Sequence, residues 1–111
     1  MKLKKIAYPK ESEPYNMELF THSNAGVTTT FGTVFLKKGT RIPELGFSRH
    51  PFNEVSILTK GLIEMIDEND IVIGRLTPGV AVYINAGEPQ AGHVLEDTEL
   101  IYVLNHLEPK A

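Results

Sequence analysis

Cysteine is absent from the chain. That excludes disulfides, thiolate metal sites and a cysteine nucleophile, and it fits a reducing compartment. An excess of charge of one sign is also lacking: 11 Lys and Arg stand against 14 Asp and Glu, for a formal net charge of −3. Nucleic-acid binding, which shows as a basic patch and a high pI, is not indicated. The one basic cluster, Lys2, Lys4 and Lys5, is too short for an electrostatic arm and reads as a solvated terminus. No apolar run approaches the roughly 18 residues of a membrane helix. Residues 1–10 carry charges but no apolar core of about 7 residues, so no signal peptide is expected and the protein is read as cytoplasmic. A Gly-rich phosphate loop, a Gly-x-Ser-x-Gly elbow and a His-Glu-x-x-His pair are all missing.

Alanine is scarce as well, at 6 residues, while Val, Ile and Thr together make 26. That balance suits strands. Short apolar or alternating segments recur at Thr28 to Leu36, Asn53 to Leu58, Leu62 to Ile66, Ile71 to Leu76, Ala81 to Ile84 and Leu100 to Leu104. Turn residues punctuate them: Lys38-Gly39-Thr40, Lys60-Gly61, Asp67-Glu68-Asn69-Asp70, Thr77-Pro78-Gly79, Asn85-Ala86-Gly87 and Glu96-Asp97-Thr98. Gly supplies positive φ, Pro presets φ, and Asn and Asp bond their own backbone. With 111 residues there is room for one domain. Evenly spaced short strands predict an all-β sandwich or barrel. Residues 1–26 are expected to form an N-terminal arm or edge strand and residues 27–107 the barrel. A short helical turn between Glu13 and Phe20, capped by Ser12, is the one helical expectation.

The central segment reads Ser48-Arg49-His50-Pro51-Phe52-Asn53-Glu54, then six residues, then Gly61. Later comes Gly74, then Pro78-Gly79, then Tyr83-Ile84-Asn85-Ala86-Gly87-Glu88-Pro89-Gln90. In order and spacing these resemble the two cupin motifs, over about Val27 to Leu104. The resemblance implies a double-stranded β-helix, a jelly-roll-like barrel of two antiparallel sheets with a pocket inside, close to the small single-domain RmlC-like cupins. It also implies a homodimer. Metal-binding cupins present two histidines and a glutamate from the first motif and a histidine from the second. The matching positions here are Ser48, His50, Glu54 and Gln90, only two of them strong ligands.

Strand side chains alternate between faces. Ser48, His50, Phe52, Glu54, Ser56 and Leu58 share one parity, and Val55 and Ile57 share the other. A face carrying Ser, His and Glu suits a polar barrel interior, while the outward Val55 and Ile57 suit burial by another sheet or subunit. By the resemblance, His50, Glu54 and Gln90 are the candidate metal ligands. His93 is a further candidate if a bulge at Ala91-Gly92 reverses its facing. Three donors of this quality predict a divalent transition metal at weak or partial occupancy. Independently of metal, Ser48, His50, Glu54 and Gln90 form a polar ligand site, since an amide and a hydroxyl both donate and accept. Tyr83 is a candidate for the pocket mouth. His22 and His106 read as surface residues, and Tyr102 as packing with a polar tip.

The expected function is binding of a small polar or acidic molecule around His50 and Glu54. Two alternatives accompany it. One is a metal-dependent cupin enzyme of dioxygenase, isomerase or lyase type. The other is a metal-free isomerase or epimerase with His50 as acid or base and Glu54 orienting it.

Overall fold

The computed structural model describes residues 1–107. It contains seven strands and, among the described residues, no helix: β1 (Asn16–Asn24), β2 (Val27–Leu36), β3 (Arg41–Ile42), β4 (Asn53–Ile66), β5 (Val72–Leu76), β6 (Ala81–Ile84) and β7 (Ala91–Leu107). All pairings are antiparallel.

Two long strands organise the rest. β4 and β7 pair from Asn53↔Asn105 to Ile66↔Ala91, and the register slips between Leu58 and Ile63. Each half of this ladder recruits its own neighbours. The Asn53 end carries β6 beside β4, with β2 and then β1 beside β7. The Ile66 end carries β5 beside β4 and the short β3 beside β7. The bend needs Gly61, which sits at φ 104°, a conformation only glycine adopts readily. A side chain there would also run into Thr98. Thr98 is fully buried; its hydroxyl donates to Glu96 O at 2.8 Å and accepts from Leu62 N at 3.2 Å, tying the two strands across the bend. Extra residues and a glycine at a strand bend are the usual means of turning a barrel corner.

The core lies between the two halves: Val34, Leu36, Leu58, Ile63, Leu76, Val94, Leu100 and Tyr102. Residues 1–15 lie against the same barrel. Lys4 Nζ donates to Leu19 O at 2.6 Å, Thr33 Oγ1 donates to Ala7 O at 2.6 Å, and Phe35 N donates to Tyr15 O at 3.0 Å.

Three expectations need correction. The helical turn at Glu13 to Phe20 gives way to β1, because pairing with β2 across the Ala25-Gly26 turn, both at positive φ, satisfies that backbone. Such turns match the twist of a hairpin. Lys60-Gly61 does not close a hairpin but bends one continuous 14-residue strand. Glu96-Asp97-Thr98 does not separate elements but sits inside the 17-residue β7, where the same bend gives these turn-forming residues their place.

Gly32 faces the ring and hydroxyl of Tyr102 and the Met17 carbonyl at distances that leave no room for a Cβ, whereas Gly74 faces open space. Gly32→Ala should therefore cost about 1–3 kcal/mol through forced displacement of its neighbours, and Gly74→Ala no more than about 0.5 kcal/mol in either direction. Urea unfolding of the two variants checks this; equal costs would contradict the packing described.

Candidate functional site

A cavity of about 530 Å³ opens between the two halves of the barrel. Its apolar lining comes from both: Val34, Leu36, Leu100 and Leu104 from one, Ile42 and Met65 from the other. Ser48, His50, Phe52, Glu54, Ser56 and Gln90 line it too.

The segment leading into β4 is not a strand, yet backbone bonds fix it. Ser48 and Gln90 exchange N–H···O bonds of 2.9 Å in both directions, and Gly87 N donates to His50 O at 2.8 Å. Asn53 Oδ1 accepts from Ala86 N at 2.8 Å, and Arg49 Nη1 donates to Gly87 O at 3.0 Å. The Asn85–Glu88 turn thus clasps residues 48–53 and sets the position of His50. The imidazole stacks on Phe52 with centroids 4.8 Å apart and planes 9° from parallel, and His106 meets the same Phe52 ring edge-on at 6.5 Å. Farther in, Glu54 Oε2 accepts from Ser56 Oγ at 3.1 Å. No ion pair among the described residues includes Glu54.

Several lining residues had no motif to announce them. Tyr102 is 4% exposed and donates its hydroxyl proton to Asn16 Oδ1 at 2.5 Å. Gly32 beside it makes the space for its ring. Tyr15, Arg41 and Glu44 also reach the cavity. Arg41 Nη1 donates to Pro43 O at 2.9 Å and Gly46 O at 2.8 Å, and its guanidinium lies over Phe47 at 5.6 Å.

His93 lies elsewhere. The ladder runs without a slip through Met65↔Gly92 and Glu64↔His93, so no bulge reverses it. Gly92 packs on Ile63 and Met65, while His93 is exposed on the other face. Tyr83 is likewise exposed, at 57%, away from the cavity lining. His22 is exposed, whereas His106 is half-buried against Phe52 rather than purely superficial. A second, more open depression of about 390 Å³ lies beneath the Asp67–Asp70 turn, between Ile66, Ile73 and Pro89. Its Asp67 already accepts from Asn69 N and Ile71 N.

The donor set can be tested against a metal. No group of three or more His, Cys, Asp or Glu among the described residues could hold one. One imidazole, one carboxylate and a neutral amide fall short of the three or four strong ligands that transition metals usually take. The residues at this site do not fit a tightly held metal.

The chain has the cupin fold, and solved structures are similar to it. One is an uncharacterised conserved protein with a double-stranded β-helix domain from Klebsiella pneumoniae, with a TM-score of 0.67, 16% identity, and coverage of 94% of this chain and 86% of that one. A Cupin_2 domain of an XRE family transcriptional regulator from Enterobacter cloacae matches at TM-score 0.62 and 16% identity, over 86% and 96%. The EutQ protein of Clostridium difficile matches at TM-score 0.61 and 20% identity, over 81% of this chain but only 60% of its own. No family model and no curated protein matches the sequence.

The Tyr102 phenol is held above its ordinary value of about 10. Burial is the main cause, with the charge of Glu18 and the neighbouring Tyr15 and Glu54 adding to it. A raised value in the folded state means that the stabilisation is complete below the unfolded-state value and is lost as pH rises through the folded-state one. Tyr102→Phe should therefore flatten the fall in stability that sets in above about pH 10, measured by urea unfolding at each pH. The same fall in both proteins would show that Tyr102 is not the group responsible.

Proposed function

We propose that the protein is a small-molecule-binding cupin whose ligand occupies the barrel cavity around His50 and Glu54. One observation carries this reading: Ser48, His50, Glu54 and Gln90, polar residues separated by up to 42 positions in sequence, line the same mostly apolar cavity of about 530 Å³. Pockets that bind small molecules are typically of this size, apolar in the main, with a few polar groups that fix orientation. Binding rather than metal catalysis is favoured because the donor set lacks a third strong ligand. The fold alone would not decide the matter.

Gln90→Trp tests the reading. The Ser48 bridge uses main-chain atoms, so the barrel should persist while the indole fills the cavity. Compounds found by thermal-shift screening at about 100 times their Kd should stabilise the natural chain by about 2.7 kcal/mol and the variant by almost nothing. Hits that stabilise both equally would place the site elsewhere.

The outer face of the same strands supports a homodimer. Ile57 and Tyr83 are 42% and 57% exposed; Ile57 pairs with half-buried Ile101, and Tyr83 with half-buried Val55, which in turn pairs with half-buried Val103. Contiguous apolar surface of this kind marks contact sites. Light scattering should give about twice the 12.4 kDa of the chain; a monomer mass at micromolar concentration would overturn this.

A further inference from the structure

We propose that the ligand is a small organic cation: an ammonium head placed on Glu54, with an apolar body against the leucine wall. The inference rests on the ligand-binding reading of the same cavity and names its chemical class. It departs from the acidic ligand that Ser48, His50 and Gln90 would equally suit on sequence grounds.

The charges decide it. Two carboxylates line the cavity, Glu54 within the barrel and Glu44 in the loop after β3. Glu54 is half-buried, and its hydrogen bond comes from a neutral hydroxyl, that of Ser56. A carboxylate withdrawn from water without a cation beside it is poorly compensated, and a charge-assisted bond from an ammonium would supply what is missing. Arg41 is the one Lys or Arg in the lining, and it is turned to the loop: its Nη1 serves the Pro43 and Gly46 carbonyls, and Phe47 lies under its plane. A ligand carboxylate would meet two like charges and a guanidinium whose Nη1 is already committed to loop carbonyls.

The remaining lining agrees. Tyr15 and Phe52 also line the cavity; one face of the Phe52 ring is taken by His50, and aromatic ring faces attract cations, most strongly where water is excluded. Tyr102 gives its proton to Asn16, so its oxygen can only accept. Ser48 and Gln90 can accept as readily as donate. Leu36, Leu100 and Leu104 supply the apolar wall for the body of the molecule.

The test uses three probes with one body and different heads: phenethylammonium, 2-phenylethanol and phenylacetate, titrated into the full chain at neutral pH. Amide chemical shifts of Glu54, Ser56, Gln90 and Tyr102 report occupancy. The ammonium should bind about tenfold more tightly than the alcohol, the factor that corresponds to one charge-assisted bond in place of a neutral one, and phenylacetate should not saturate. Glu54→Gln retains an acceptor for Ser56, and it should erase the difference between ammonium and alcohol; continued binding of the alcohol shows that the variant's pocket is intact. Phenylacetate binding as tightly as the ammonium, or an ammonium affinity indifferent to Glu54→Gln, overturns the cationic class and leaves the pocket reading standing. Failure of all three probes to shift these amides overturns both.

Discussion

The bent ladder between β4 and β7 is the constraint on which the structure depends. Each strand is too long for one flat sheet, and the slip between Leu58 and Ile63 turns both of them from one half of the barrel into the other. A residue with a side chain at position 61 would meet Thr98, and few residues other than glycine accept its φ. The buried Thr98 hydroxyl then bonds to both strands, so the bend leaves none of its own polar groups stranded. Among the described residues, no buried side-chain nitrogen or oxygen lacks a partner, which is what a well-formed interior requires.

The cavity follows from that bend. Because the halves face each other, residues from β2, β3, β4 and β7 converge on one space. The polar residues there are held from outside it. The Asn85–Glu88 turn grips the backbone at His50 and the side chain of Asn53, so the imidazole is positioned by main-chain bonds and by the Phe52 ring. Held this way, His50 need not bond Glu54 to be fixed.

Much of this was legible in the chain. Ala81 to Ile84 has the bounds read from its alternation, and Thr28 to Leu36 differs from β2 by one residue. Local pattern suffices there because both strands lie between strong turn signals. Asn16–Asn24 was less legible: residues 1–26 read only as an arm or edge strand without bounds, Ser12 suggested the cap of a helical turn, and pairing with β2 is what makes β1 a strand. The N-terminal half of β7 was hidden for a related reason. Glu96, Asp97 and Thr98 are turn formers, but at a barrel corner they serve inside a strand. Among the cavity residues, Ser48, His50 and Glu54 lie in the first motif and Gln90 in the second. Tyr102, Asn16 and Arg41 lie in neither; their presence in the cavity depends on which strands meet.

Composition and spacing by themselves determined the class: an all-β chain, without cysteine chemistry or a helix for a membrane, carrying the two cupin-like motifs in order. Those properties are local, set by turn residues, β-branched side chains and alternation. Tertiary structure decided everything that depends on distance across the barrel. It kept His93 on the outer face by leaving the β4–β7 register regular beside it. It brought Tyr102 over a glycine that has no motif of its own. It also turned Arg41 Nη1 toward loop carbonyls. A sequence carries the identity of these groups; which of them find partners is settled only when the ladder bends and closes.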